Sequence, residues 1–393
     1  MSRLADWIVE NKDKIEAGVE IMGKASQVLA ATVGKLHPLL EVVFIAAAEL
    51  LRNPDGQEAR YVTKQCELVN KKLEGIQDEI TQIALELQRT SMNKQNFHQE
   101  AQMISQYEKF QDFINADQTF KEKKMEKFLS HYENTDRDMN LDALYNAVIG
   151  ENISGDPMLE TVVTTEQRSR RAVENFCASL KKLFVVGIIA VMGHSALKEG
   201  VVGEEMVKKW KDRMEVVEKR MKAAVDECTE KFADQAKLDV EHILQENPGT
   251  VNSEFTQTLL DLLMKKYDWV NWSIRAFNNR ERVFFLNWLA GKKFHGSGGS
   301  NWFQFLTRSG ITVVVSYCVD PKPINKGQIQ EKIEARKLKG NMMALALSLN
   351  NFFPNCLVHA VSHYKEVAES HNFSEDCYYY WKHKRAHLCI HPE

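Results

Sequence analysis

Six histidines and three cysteines fall within the last forty residues: Cys356, His359, His363, His371, Cys377, His383, His387, Cys389 and His391. Imidazole nitrogen and thiolate sulfur are strong zinc ligands, so metal chemistry is sought here first. His359 and His363 stand four apart, a spacing that places both rings on one face of a helix or a strand. Ala360, Val361 and Ser362 lie between them, so the glutamate of an HExxH zinc site is missing. No Cys-x-x-Cys pair accompanies them either. His359 and His363 are therefore weak metal candidates, and histidines satisfied in a core or partly exposed are the preferred reading of the cluster.

Two other arrangements invite chemistry. The run Gly296 to Ser300 is glycine-rich enough to cradle a phosphate, but it lacks the Lys-Ser/Thr of a P-loop and reads better as a flexible hairpin connection. Cys318 and Cys356 are possible nucleophiles, yet no histidine-asparagine signature gives either a partner. The sequence thus supplies no catalytic residue and no cofactor site, and the expectation is a protein that is not an enzyme, with a membrane-permeabilising effector as the first alternative and a zinc-dependent enzyme of the C-terminal domain as the second.

A different kind of site is offered by Leu183 to Leu197, LFVVGIIAVMGHSAL, fifteen residues without a formal charge between Lys181-Lys182 and Lys198-Glu199. As a helix it extends about 22 Å, short of a bilayer core of about 30 Å. It is a buried core segment, an interfacial element or a concealed insertion hairpin. Gly187 and Gly193, then Gly200 and Gly203, favour a bend or hairpin over 183–203. The membrane-insertion candidates are Leu183, Phe184, Val185, Val186, Ile188, Ile189, Val191 and Met192. Burying about eight such side chains contributes on the order of 15 kcal/mol before entropy, so a soluble state must cover them.

The elements that would cover this stretch are helices. Val62, Cys66, Val69, Leu73, Ile76, Ile80, Ile83 and Leu87 alternate four and three apart, a heptad seam that predicts a coiled-coil-like helix running from about Glu58 to Asn115. Val207, Trp210, Met214, Val217, Met221, Ala224 and Cys228 form a second seam, continued less strictly by Phe232, Gln235 and Leu238. An opening amphipathic helix, a core helix at Leu39 to Leu51, and helices at Phe120 to Tyr132 and Leu141 to Ile149 complete the expectation for this half. A helix capped by Asp156 and Pro157 is expected to run directly into the apolar stretch, and one through Phe255 to end near Phe277. Trp7, Trp210, Trp269 and Trp272 read as core anchors. Beyond Phe277 the texture becomes β-branched and aromatic, at Arg282 to Leu289 and Ile311 to Val319, with a helix from Gly327 to Asn350 and a hairpin of Tyr378 to Trp381 with Ala386 to Ile390. The predicted fold is mainly α: an elongated helical bundle over 1–277 and a small C-terminal α+β domain over 278–393.

Net charge is −3, from 51 lysines and arginines against 54 acidic residues, which provides no field to gather nucleic acid. Seven scattered cysteines suit reduced thiols, and the N-terminus lacks the apolar core of a secretory signal, so a cytoplasmic location is expected.

Long stretches carry a resemblance: Val9 to Gly23, Lys72 to Phe97, Met103 to Phe113, Lys123 to Thr135, Lys181 to His194, Val313 to Ile329 and Pro354 to Glu366. In these the chain resembles, from end to end, the rapunzel family of fish proteins. That resemblance implies association with fin and skeletal growth and with innate-immune regulation, through protein partners and without a defined enzymatic reaction. In organisation the chain is also similar to the large α-helical pore-forming toxins and cephalotoxin-like proteins, which set an apolar tongue between long helices. This second resemblance implies possible membrane association, and oligomers if a pore forms.

Overall fold

The computed structural model describes residues 12–13, 17, 61, 64–65, 67–68, 71, 94–150, 157–199, 203–247, 249–278, 294–335, 341–362, 365–382 and 386–393. The residues that define the opening amphipathic helix, the helix at Leu39 to Leu51, all eight residues of the first heptad seam and the strand expected at Arg282 to Leu289 lie outside these residues. So does the question of one unbroken helix from Glu58. The chain divides into two compact units, Met1–Thr229 and Glu230–Glu393.

The described elements of the first unit are all helices. Helix α1 (Lys94–Ile114) buries Met103, Tyr107, Phe110 and Phe113, and α2 (Gln118–Asn134) returns along it with Phe128 and Tyr132. Helix α3 (Met139–Ile149) stops at Gly150, whose φ of 84° is the left-handed conformation that glycine adopts without strain at a helix end. Next comes α4 (Met158–Thr165), a helix of only two turns. It does not run on into the apolar stretch. Gln167 and Arg168 take φ of 48° and 54°, which breaks the helix before α5 (Arg170–Glu199) begins.

Helix α5 passes without interruption through Gly187 and Gly193, so the chain does not turn back on itself at either glycine. Gly187 serves close packing instead: a Cβ there would lie 2.6 Å from Leu141 Cδ1 and 3.2 Å from Met103 Sδ. Helix α6 (Glu204–Glu230) carries the second seam as expected, with Trp210, Met214, Val217, Met221, Ala224 and Cys228 all buried in the same core as α5. The seam ends at Cys228. Phe232 and Gln235 are buried on the next helix, and Leu238 is 56% exposed.

The second unit starts with helices α7 (Phe232–Glu246) and α8 (Ser253–Lys266). Two four-stranded antiparallel sheets follow, built from β1 (Asn271–Asn278), β2 (His295–Gly298), β3 (Trp302–Leu306), β4 (Ile311–Cys318), β5 (Cys356–Ser362), β6 (Val367–His371), β7 (Tyr379–Lys382) and β8 (Ala386–Pro392). Their orders are β3-β4-β1-β6 and β2-β5-β8-β7. Helices α9 (Lys326–Glu334) and α10 (Met342–Asn350) stand where one longer helix was expected. The unit is layered helix, sheet, sheet, helix. Trp272, Ile274, Ala276, Val313 and Val315 face α7 and α8, while Val358, Ala360, Leu388 and Ile390 face α9 and α10.

The division therefore falls at Thr229 rather than near Phe277. Helices α7 and α8 share a core with the first sheet, and Phe277 lies inside a central strand that the sequence suggested was a helix end. The glycines at 296–300 do not form a hairpin connection either. Gly296 and Gly298 belong to β2, where a Cβ would meet Met343 Cα at 2.4 Å and Ala346 O at 2.9 Å, so they admit α10 against the sheet. The backbone of Asn301 donates to Glu393 Oε1 at 2.9 Å and that of Ser300 to the same oxygen, so the loop's amides hold the protein's own carboxylate.

Candidate functional site

Two constructions emerge, one in each unit. In the first, α5 buries every residue from Leu183 to Met192 together with Gly193. The eight insertion candidates are all at most 5% exposed. Helices α1, α2, α3, α4 and α6 supply the cover, through Met103, Phe128, Leu141, Val162, Trp210 and Met214 among others. A helix apolar on all sides has no face to turn to water, so it requires an enclosing core of this kind. At 30 residues α5 extends about 45 Å, and it is long and apolar enough to cross a membrane by length and composition.

Polar fastenings hold the cover. At the C-terminal end of α5, His194 stacks on Tyr132 with ring centres 4.3 Å apart, and the Glu133 carboxylate pairs with Lys198 and lies 3.7 Å from His194 Nε2. Burial, with Lys198 adding to it, holds the His194 imidazole below its ordinary range. Asp142 on α3 pairs with Arg213 and Lys209 of α6, and the Arg213 guanidinium lies over the Trp210 and Tyr145 rings.

In the second unit, the facing sides of the two sheets bury a group of polar side chains beside the apolar cluster of Phe277, Val314 and Val361. On β1, Ser273 and Arg275 alternate with the helix-facing Trp272, Ile274 and Ala276, as the period of two in a strand requires. Arg275 is 1% exposed and its Nη2 donates to Ser316 Oγ at 2.6 Å. Ser316 Oγ in turn lies 2.8 Å from His391 Nε2, and His391 Nδ1 donates to the Pro392 carbonyl at 2.7 Å. Because that carbonyl only accepts, Nδ1 carries the proton and Nε2 accepts from the serine, which gives the chain one direction. Burial, then the Arg275 charge, push His391 down to about 3.

Around this chain, Tyr378 bonds Ser273 Oγ at 2.7 Å, accepts from Cys389 Sγ at 3.0 Å and stacks on His371 at 3.7 Å. Glu369 stands opposite Arg275 on β6, and burial raises its carboxyl to about 7 against the pull of Arg275. His359 stands opposite Ser297 and Cys389 in the second sheet, and burial, with Arg275, holds it well below the usual imidazole range.

The structure thus brings His359, His371, His387, Cys389 and His391 of the C-terminal cluster to one layer, while Cys356 faces α9 and α10. His363 and His383 lie outside the described residues. Among the described residues no group of three or more His, Cys, Asp or Glu is placed to hold a metal ion. The Cys356 thiol is pushed up to about 11 by burial, and that of Cys318 is also raised, so neither is poised as a thiolate. Sequence reading missed Arg275, Ser316, Glu369 and Tyr378. The alternation Trp272-Ser273-Ile274-Arg275-Ala276 was the available signal, obscured by reading Phe277 as the end of a helix.

Comparison with known proteins places the helical part of the chain from residue 52 to residue 250, α7 included. Protein rapunzel of Danio rerio is 22% identical over 225 residues, covering 56% of this chain and 97% of that protein. The similarity therefore spans little more than half of the chain rather than its whole length. No solved structure matches. The sequence profile of the cephalotoxin-like middle helical domain matches residues 52–250, which include α1 to α6 and more than half of the chain. On that match, the chain belongs to the family defined by the cephalotoxin-like middle helical domain.

Proposed function

We propose that this is a non-enzymatic interaction protein, acting in the cytoplasm through protein partners and at membranes through a helix that its own bundle keeps covered. One observation carries the reading: α5 is long enough to cross a membrane and holds an uncharged stretch that is apolar on every side, yet every residue from 183 to 193 is enclosed by other helices. Covering it in water and exposing it at a bilayer are two ways of meeting the same energetic demand, on the order of 15 kcal/mol for its eight large side chains. The likeness to protein rapunzel supports placing this activity in fin and skeletal growth and immune regulation, the settings that the sequence resemblance implies.

Flotation of the full chain with liposomes, from acid to neutral pH, tests this. A lipid-bound fraction is expected without dye release. Leu141→Ala thins the cover at Gly187 without changing α5 and should increase that fraction, whereas Val186→Asp, checked for native circular dichroism, should abolish it. Wild-type protein that floats with no lipid at any pH ends the membrane reading. Release of trapped dye by the wild type would instead favour a membrane-permeabilising oligomer, the second reading that the enclosed α5 supports.

A further inference from the structure

The polar layer of the second unit holds hydrogen-bond donors that the chain itself does not use. Arg275 engages Ser316 through Nη2, but its Nε and Nη1 have no partner. Neither ring nitrogen of His359 has one, although the residue is only 1% exposed. Ser297, opposite His359 in register and 5% exposed, has a hydroxyl without a partner. Phe277, two residues along β1 from Arg275 on the same face, lies 6.0 Å from the His359 ring and places the imidazole inside the sheet pair. Buried groups of these kinds are paired in folded proteins, and a guanidinium does not shed its proton to escape the requirement.

From these residues the geometry points to an internal site for a small inorganic anion, of halide to phosphate size, held by the Arg275 guanidinium with His359 and Ser297 as neutral donors. Charge argues for an anion rather than a metal, since the one full charge that persists is positive. Glu369, its neighbour on β6, has a carboxyl raised to about 7 and an Oε2 without a partner, so near neutral pH it offsets Arg275 only in part. Size follows from enclosure. Arg275, His359 and Ser316 are at most 1% exposed, and an organic ligand would have to part the two sheets to reach them. The other groups that face the layer are His295 from β2, His371 from β6, Cys389, His387 and His391 from β8, Tyr380 from β7, and Tyr378 beside it. Among them the imidazoles of His371 and His391 are held down by burial, so they add little positive charge of their own.

Thermal unfolding of the full chain tests the site, in sodium bromide and sodium phosphate against sodium gluconate at matched ionic strength, gluconate being too large to enter. A ligand that binds only the folded state raises the transition temperature in a saturable way. A rise of a few degrees is expected in bromide or phosphate and should vanish in Arg275→Met. Chloride NMR on the wild type gives a second reading that needs no variant: the chloride line should broaden with folded protein and sharpen when bromide competes. Equal transition temperatures in all three salts, an unbroadened chloride line, or a rise that survives in Arg275→Met each overturn the assignment.

Discussion

Single residues of the polar layer tie the second unit's stability to pH, and two of them act with opposite sign. His391 is pushed down to about 3 by burial and by Arg275, whereas in the unfolded chain it titrates near 6.5. Its folded value is lowered, so the stability it contributes is present above about pH 6.5 and is lost as pH falls toward 3. Glu369 is raised from 4.5 to about 7, so its contribution is complete below about pH 4.5 and is lost as pH rises through about 7. Between about pH 7 and pH 5 each effect amounts to roughly 2 kcal/mol, and they nearly cancel. Urea unfolding should show it. His391→Gln is expected to be more stable at pH 5, relative to pH 7, than the wild type by about 2 kcal/mol, and Glu369→Gln less stable by about the same amount. If both variants keep the wild-type dependence on pH, the two groups do not titrate as the buried layer requires. None of this was visible from the histidine cluster alone, because the burial that dominates both values comes from the facing sheet, and the charge that acts on both, Arg275, lies more than eighty residues upstream on another strand.

At the scale of elements, the second heptad seam was legible because one side of α6 meets one core, so the period of 3.6 survives in the sequence. The apolar stretch was legible as something to be covered, but not as part of a 30-residue helix, since its glycines suggested a bend. Their meaning depends on neighbours distant in sequence. At Gly187 the approach of Leu141 and Met103 leaves no room for a side chain. Gly187→Ala gains about 1 kcal/mol of helix propensity and meets a packing penalty of about 1–3 kcal/mol. A net loss of roughly 1 kcal/mol in urea unfolding is expected, and it should shrink in a Leu141→Ala background where the crowding atom is gone. An increase in stability equal to the propensity term would mean that α3 does not press on α5. The strand β1 was misread for a related reason: buried on both faces by a helix layer and a second sheet, it pairs an apolar alternation at Trp272, Ile274 and Ala276 with a buried Arg275 and a closing Phe277, which local pattern does not separate from the end of the preceding helix.

For the whole molecule, the two units were hidden by continuity of texture, since α7 and α8 carry the same amphipathic pattern as the helices before them. Their partners decide the matter: Phe232, Val240, Leu259 and Leu263 pack with Trp272, Ile274 and Val315 of the first sheet, with Phe232, Tyr267, Trp269, Trp272 and Tyr317 in one aromatic cluster. Each unit thus holds a core of its own, and cores that share few side chains unfold separately. Calorimetry of the full chain is expected to show two transitions. Val186→Asp places a carboxylate at a site with no exposure in the first core, a change that costs several kcal/mol. It should lower the first unit's transition and leave the second where it was, while Arg275→Met should do the reverse. A single transition that moves as a whole in both variants would show that the bundle and the layered unit fold as one body, in which case the cover over α5 could not open without unfolding the polar layer as well.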